Sequence, residues 1–181
     1  MKPSHLIAPL IFCVLAFSCA CGCTTTPANG AASGGIRDVT SPSTEEKTHL
    51  ETALADLEVL AGEGFENITG MEVITVSGTD VAAAGNASTW VLGIRQDGRP
   101  SLLVYSHGTW SRLNWNHPLD GETIPLDTTL MPTDLYEVHA DEIGGLGPLT
   151  DLTLVNGTYT LRSHAPTPET LAFDAQTGGV V

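Results

Sequence analysis

Basic residues are scarce in this chain. Seven lysines and arginines stand against 21 aspartates and glutamates, which gives a formal net charge of −14. The arginines are scattered and form no basic run. Because such a chain repels phosphate backbones and anionic lipid headgroups, we expect no nucleic-acid partner and no attachment to a membrane by charge.

Cysteine is also scarce, and all four cysteines lie at or before position 23. Residues 24 to 181 contain no cysteine, which excludes disulfides, thiolate metal sites and cysteine nucleophiles from that part of the chain.

Long apolar runs are absent as well. The longest, residues 6 to 17, is shorter than the roughly 20 residues that span a bilayer as a helix. With Lys2 before it and small residues after it, this run is typical of an export signal covering residues 1–23. Gly22 and Ala20 before Cys23 resemble a lipoprotein cleavage site, so we expect Cys23 to carry the lipid, with Cys19 and Cys21 as alternatives. An ordinary secretory signal with incidental cysteines is the other interpretation.

These features predict an exported protein that is anchored to the outer face of the cell membrane through a lipid. Residues 24–42 consist mostly of Thr, Gly, Ala, Ser and Pro, a composition typical of a flexible linker. The folded domain is expected to span residues 43–181.

The domain is expected to start with a helix. Ser43 and Glu46 form a capping-box pattern. Apolar residues then recur at helical spacing, and Gly62 and Gly64 follow them. These apolar residues are Leu50, Ala53, Leu54, Leu57, Leu60 and Ala61.

Beyond the helix the apolar period changes to two, which indicates strands. We expect a strand over 71–77, a loop over 78–85, and a meander through 89–95, 101–106 and 109–115, with turns at Asp97-Gly98 and His107-Gly108. Later in the chain, Asn156-Gly157 predicts a hairpin that places Leu154 opposite Tyr159 and Leu152 opposite Leu161. A last strand is expected over 170–175, and a weaker helical pattern covers 133–143.

The resulting fold class is α+β, an antiparallel sheet with one or two helices packed on one face. Two tandem repeats of helix plus meander, in halves 43–117 and 132–181, are suggested by matched spacings. Trp90 is followed twelve residues later by Leu102, and Tyr159 is followed twelve residues later by Leu171.

The C-terminal sequence Leu171-Ala-Phe-Asp174-Ala-Gln-Thr177-Gly178 resembles the closing hairpin of PepSY and PepSY-like domains. In that family a strand runs into an Asp-Ala-x-Thr-Gly turn and returns as a short apolar strand. The resemblance implies a non-catalytic envelope or pro-region domain, some members of the family being protease inhibitors, and it brings no catalytic residue with it.

Catalytic motifs are missing from the sequence. No serine occupies a Gly-x-Ser-x-Gly elbow, no glycine-rich phosphate loop precedes a helix, and His107, His117 and His164 are isolated. An acidic segment, consisting of Asp134, Glu137, His139, Asp141 and Glu142, is interpreted as solvated helix surface in preference to a calcium site. We therefore expect no enzyme activity, no metal and no cofactor.

Three aromatic residues near the second hairpin are the candidate contact surface. Trp110 and Trp115 are flanked by polar residues, and Tyr105 is expected to pair across from Trp110. The favoured function is a binding or inhibitory module with an envelope protein or peptide partner. The alternatives are a structural envelope protein without a soluble partner and a hydrolase with an unrecognised site.

Three asparagines begin glycosylation sequons, namely Asn67, Asn86 and Asn156. In an exported protein they are candidate glycosylation sites, with coincidence as a nearly equal alternative. Asn156 is the weakest of the three because Asn156-Gly157 also fits the pattern of a hairpin turn.

Overall fold

The computed structural model describes residues 46–181. In chain order the elements are β1 (Thr48–His49), α1 (Leu50–Gly62), β2 (Glu72–Ala82), β3 (Asn86–Ala87), β4 (Thr89–Gln96), β5 (Arg99–Ser106), β6 (Thr109–Asn114), α2 (Pro132–Val138), α3 (Ala140–Gly144), β7 (Leu149–Val155), β8 (Thr158–Ser163) and β9 (Thr170–Asp174). The predicted signal peptide, the linker, and Cys19, Cys21 and Cys23 lie outside the described residues.

One antiparallel sheet forms the centre of the domain. Its seven strands are arranged in the order β6-β5-β4-β2-β7-β8-β9, so the predicted halves share a single sheet through the β2–β7 pair. The α+β class is confirmed, and the helices lie over one face of the sheet. None of the helices in the described part of the chain is long and apolar enough to cross a membrane.

Alternation along the strands separates the two faces of the sheet. Trp90, Leu92 and Ile94 of β4 are fully buried under the helices. The predicted hairpin is confirmed, with Leu154 opposite Tyr159 and all four of its apolar residues in the core. The other, open face carries mainly threonine, serine and valine and is not covered by the helices, although Leu119 of the connection after β6 lies next to Gly93 there.

Two-residue turns set the register of three of these hairpins. Asp97, His107 and Asn156 have φ values of 52°, 52° and 50°, and each is followed by a glycine with positive φ. Two successive left-handed residues define the type I′ turn, whose twist matches that of the flanking strands.

The start of α1 was predicted wrongly. The helix begins at Leu50 and has no side-chain cap, because Thr48 and His49 pair as a short strand with Asn86 and Ala87. The predicted end is confirmed at Gly62.

The predicted loop over 78–85 was also wrong for most of its length, because β2 continues to Ala82. The pairing between β2 and β7 shifts between Gly78 and Val81, and Asp80 takes a φ of 53° in this bulge. The helical pattern over 133–143 is confirmed as two short helices that meet at His139.

Two buried aromatic residues tie the sheet to the segments that enter the helices. The indole N–H of Trp90 donates to the carbonyl of Thr48, two residues before α1, at 2.8 Å. The hydroxyl of Tyr159 donates to the carbonyl of Leu130, two residues before α2, at 2.7 Å. Each bond satisfies a polar group that would otherwise be buried without a partner.

The long connection between β6 and α2 runs along one end of the sheet. The N–H of Ile124 donates to the carbonyl of Val73 at 2.7 Å, and the N–H of Leu130 donates to the carbonyl of Ala175 at 2.8 Å. Through these bonds the connection passes from the β6 side of the sheet to the β9 side.

The C-terminal turn is organised by Asp174. Its Oδ1 accepts hydrogen bonds from the backbone N–H and the hydroxyl of Thr177 and from the N–H of Gln176. The chain then returns along β9, where Val180 bridges Phe173 and the N–H of Val181 donates to the carbonyl of Ala172.

These hydrogen bonds give Asp174 a measurable pH dependence. The bonds from Thr177 and then Gln176 favour the charged carboxylate and lower its pKa. Because the folded-state pKa lies below the unfolded one, the stabilisation is present above the unfolded pKa and is lost as the pH falls through the folded pKa. An NMR titration of the Asp174 carboxyl should give a pKa below that of an ordinary aspartate, and Thr177→Val should raise it. An ordinary pKa in the unmodified protein would contradict the hydrogen bonding described here.

Candidate functional site

The predicted contact residues do not form one exposed surface. Tyr105 and Trp110 pair across β5 and β6 as predicted, but their side chains are 5% and 9% exposed and belong to the core. Trp115 lies beyond the end of β6, as predicted, with 38% of its surface exposed. The prediction was therefore wrong for Tyr105 and Trp110, while Trp115 does reach the surface.

The burial of Trp110 has a clear cause. Its indole N–H donates to the carbonyl of Ala53 in α1 at 2.7 Å, and its ring lies 5.2 Å from that of Tyr105. The Tyr105 hydroxyl donates to Oδ2 of Asp56 at 2.8 Å, and burial, followed by the bond to Asp56, raises the pKa of Tyr105. Through these bonds Tyr105 and Trp110 hold α1 against the sheet next to β6.

Large apolar side chains gather around this same edge. Trp115 packs edge-on against His117, with ring centroids 5.5 Å apart, and Leu113 is 51% exposed. Alternation along β6 places Leu113 on the open face of the sheet, opposite to the face that buries Trp110, and Trp115 follows directly after the last residue of the strand.

Two more exposed apolar residues lie on the helix side of the edge. Val59 is 58% exposed and lies three residues after Asp56, so it occupies the side of α1 that is bonded to β5. Phe65 is 77% exposed and precedes Glu66, which is bonded to Arg112 of β6. The edge therefore has exposed apolar side chains next to both faces of the sheet.

The backbone of β6 has an open outer side. Among the described residues no strand pairs with this side of β6. Ser106 and Thr109 flank a two-residue turn and form a hydrogen-bonded pair, so the bonded pairs alternate from there along the hairpin. The N–H and C=O groups of Trp110, Arg112 and Asn114 consequently point outward.

Arg112 of β6 is bonded to the loop after α1 and to side chains of the neighbouring strands. Its guanidinium donates to Oε1 of Glu66 at 2.6 and 3.0 Å, to the carbonyl of Asn67, to the side chain of Gln96 and to the hydroxyl of Ser101. With its donors distributed among these partners, Arg112 holds the loop that follows α1 against β6. We assign it a structural role.

A charged cluster lies at the β2 bulge, in the central β2–β7 pair of the sheet. His164 is 3.5 Å from Oδ1 of Asp80 through Nδ1 and 3.0 Å from Oδ1 of Asp151 through Nε2, so this histidine is not isolated in space. The hydroxyl of Ser88 donates to Asp80 and not to the imidazole. A hydrolytic triad needs a nucleophile bonded to the imidazole, and these four residues do not have that arrangement.

The acidic segment of α2 and α3 does not gather its side chains around a metal position. The His139 ring lies tilted against the ring of Phe173, with centroids 4.6 Å apart, and its Nδ1 lies 3.8 Å from Oε2 of Glu142. In the part of the chain that the structure describes, no group of three or more histidine, cysteine, aspartate or glutamate side chains has a spacing suited to a metal ion.

The three sequon asparagines differ in accessibility. Asn67 is exposed, and its Oδ1 accepts a hydrogen bond from the N–H of Thr69. Asn86 belongs to β3, and its Oδ1 is buried. Asn156 lies at the tip of the β7–β8 turn, where its Oδ1 accepts from the N–H of Glu122 at 3.0 Å. Asn67 is therefore the best placed of the three for modification.

Comparison with known proteins adds no relative. No family model, curated protein or solved structure matches this chain.

The position of Trp110 could have been found from the sequence alone. The predicted turn at His107-Gly108 pairs Trp110 with Tyr105, and the turn at Asp97-Gly98 pairs Tyr105 with Trp90. Directly paired residues share a face, so the three aromatic residues had to be buried or exposed together.

Proposed function

We propose that this chain is a non-catalytic binding module of the cell envelope, held at the outer face of the membrane by a lipid on Cys23. The observation that carries the proposal is the exposed apolar surface around β6. Four of the seven large apolar side chains exposed among the described residues lie on β6, directly after it, or on the helix and loop that are bonded to β5 and β6, which supports this edge as the binding site. Clustered exposed apolar residues are typical of interaction sites.

The proposal includes a duplicated, PepSY-like architecture. An antiparallel pair, β2 and β7, lies at the centre of the sheet, and a meander continues outward on each side. The bonds from Trp90 and Tyr159 to carbonyls two residues before a helix occupy matching places in the two halves. These correspondences support a repeat of helix plus meander.

The test is photocrosslinking in intact cells, followed by mass measurement of the purified protein. A photoreactive residue at Leu113 should crosslink to an envelope protein or peptide. The same residue at Val138, which is 69% exposed on α2, should not. The mass should correspond to a chain that begins at Cys23 and carries a lipid.

Two results would overturn the proposal. An intact chain that begins at Met1 and is recovered from the cell interior would remove the envelope role. A correctly processed protein that yields no crosslink from any exposed position would favour the structural alternative.

A further inference from the structure

We infer that β6 captures an extended peptide in which apolar residues alternate with basic ones, by adding it as an eighth strand to the sheet. The inference rests on the proposed binding function and names the class of partner. Its three supports are the backbone, the side chains and the charge at the edge.

The backbone of β6 selects an extended partner. Trp110, Arg112 and Asn114 direct N–H and C=O groups outward at alternate residues, which is the pattern that a further strand pairs with. β6 itself contains neither lysine nor proline, the residues that commonly protect an exposed edge. The edge is therefore open to main-chain pairing over its six residues.

The side chains on the two faces select the residues of the partner. On the open face Leu113 offers apolar surface, and Trp115 offers more just past the end of β6, so the partner's residues on that face are apolar. On the helix side Val59 and Phe65 are also exposed, and so is Glu63, which follows the last residue of α1 and donates its N–H to the carbonyl of Val59. A lysine or arginine suits this side because its aliphatic stem packs on apolar surface while its charge reaches the carboxylate.

The overall charge favours the same partner. With a net charge of −14, the chain attracts a cationic peptide and repels a second copy of itself. Arg112, the basic residue within β6, is already paired with Glu66 at 2.6 Å. Strand pairing between two copies of β6 is therefore disfavoured relative to a basic peptide.

The experiment uses the lipid-free domain with its linker, residues 24–181, and a synthetic peptide of alternating valine and lysine long enough to span β6. Isothermal titration should show saturable binding. A peptide with glutamate in place of lysine should bind at least about tenfold more weakly, and so should one with methylated backbone nitrogens on its pairing side.

Variants of the domain locate the site. Trp115→Ala should weaken binding about tenfold, because it removes an exposed apolar anchor. Asn114→Pro should also weaken it, since it removes an outward N–H that takes no part in pairing with β5, whereas Asn114→Ala should bind as the unmodified protein does. Val138→Ala, on the exposed side of α2 and outside the β6 edge, should have no effect. Unfolding curves of every variant would show that the domain still folds.

Several outcomes would overturn the inference. These are no binding of the valine-lysine peptide, equal binding of the glutamate or methylated peptide, unchanged binding by both Trp115→Ala and Asn114→Pro, or a stable dimer through β6. If crosslinking in cells still finds an envelope partner in any of these cases, the binding function stands and only the strand-addition inference fails.

Discussion

Replacing Trp90 by alanine is expected to lower the free energy of unfolding by about 3–5 kcal/mol. Trp90 is fully buried, and its ring packs directly over Gly78 of β2, where a Cβ atom would lie 2.5 Å from the indole. The substitution leaves a large cavity at the centre of the sheet. It also removes the donor for the Thr48 carbonyl, which loosens the entry into α1.

Chemical denaturation monitored by circular dichroism would measure this loss. The matched control is Trp115→Ala, which removes the same side chain from a site where 38% of it is exposed, and it should cost less than about 1 kcal/mol. Equal losses at the two positions would contradict the burial pattern described above.

Gly85→Ala is expected to be the most costly of the glycine substitutions in the turns. Gly85 has a φ of +74°, and a Cβ added there would lie 2.8 Å from Cα of Thr133 and 2.9 Å from the carbonyl oxygen of Pro132. Both atoms belong to the backbone at the start of α2, so relief requires the helix to move. The cost should exceed the roughly 1–2 kcal/mol of a left-handed alanine alone.

Gly98→Ala separates these two effects. Gly98 has the same φ of +74°, but no atom lies within 4 Å of its added Cβ. It should therefore show the conformational cost without the crowding. The difference between the two unfolding free energies measures how tightly the β2–β4 connection packs on α2, and a difference near zero would show that this contact is loose.

The sequence predicted the hairpins best. Two-residue turns containing glycine fix which residues face each other, so the pairs Leu154–Tyr159 and Tyr105–Trp110 followed from the turns alone. The α+β class and the end of α1 followed from equally local patterns.

The errors arose where distant segments decide the structure. The start of α1 depends on the pairing of Thr48 and His49 with β3, nearly 40 residues away. The extension of β2 depends on β7, which pairs with it from about 70 residues later in the chain. No local pattern encodes either pairing.

The candidate site was predicted in part for a similar reason. The polar neighbours of Trp110 suggested that it was exposed, but adjacent residues in a strand point to opposite faces. The charged neighbour Arg112 is paired with Glu66 and does not mark an exposed surface. Trp115 escaped burial because it lies past the end of β6. Val59 and Phe65 reach the same edge only through the tertiary packing of α1.

The seam between β2 and β7 makes the two halves of the domain interdependent. Cutting the chain within residues 115–131 would leave each fragment with half of the core and with an unpaired strand, β2 in one fragment and β7 in the other. We expect neither fragment to stay soluble alone, but β2 of one fragment and β7 of the other can pair with each other again. The domain thus has the layout of a split reporter, in which reassembly of two pieces restores one folded unit.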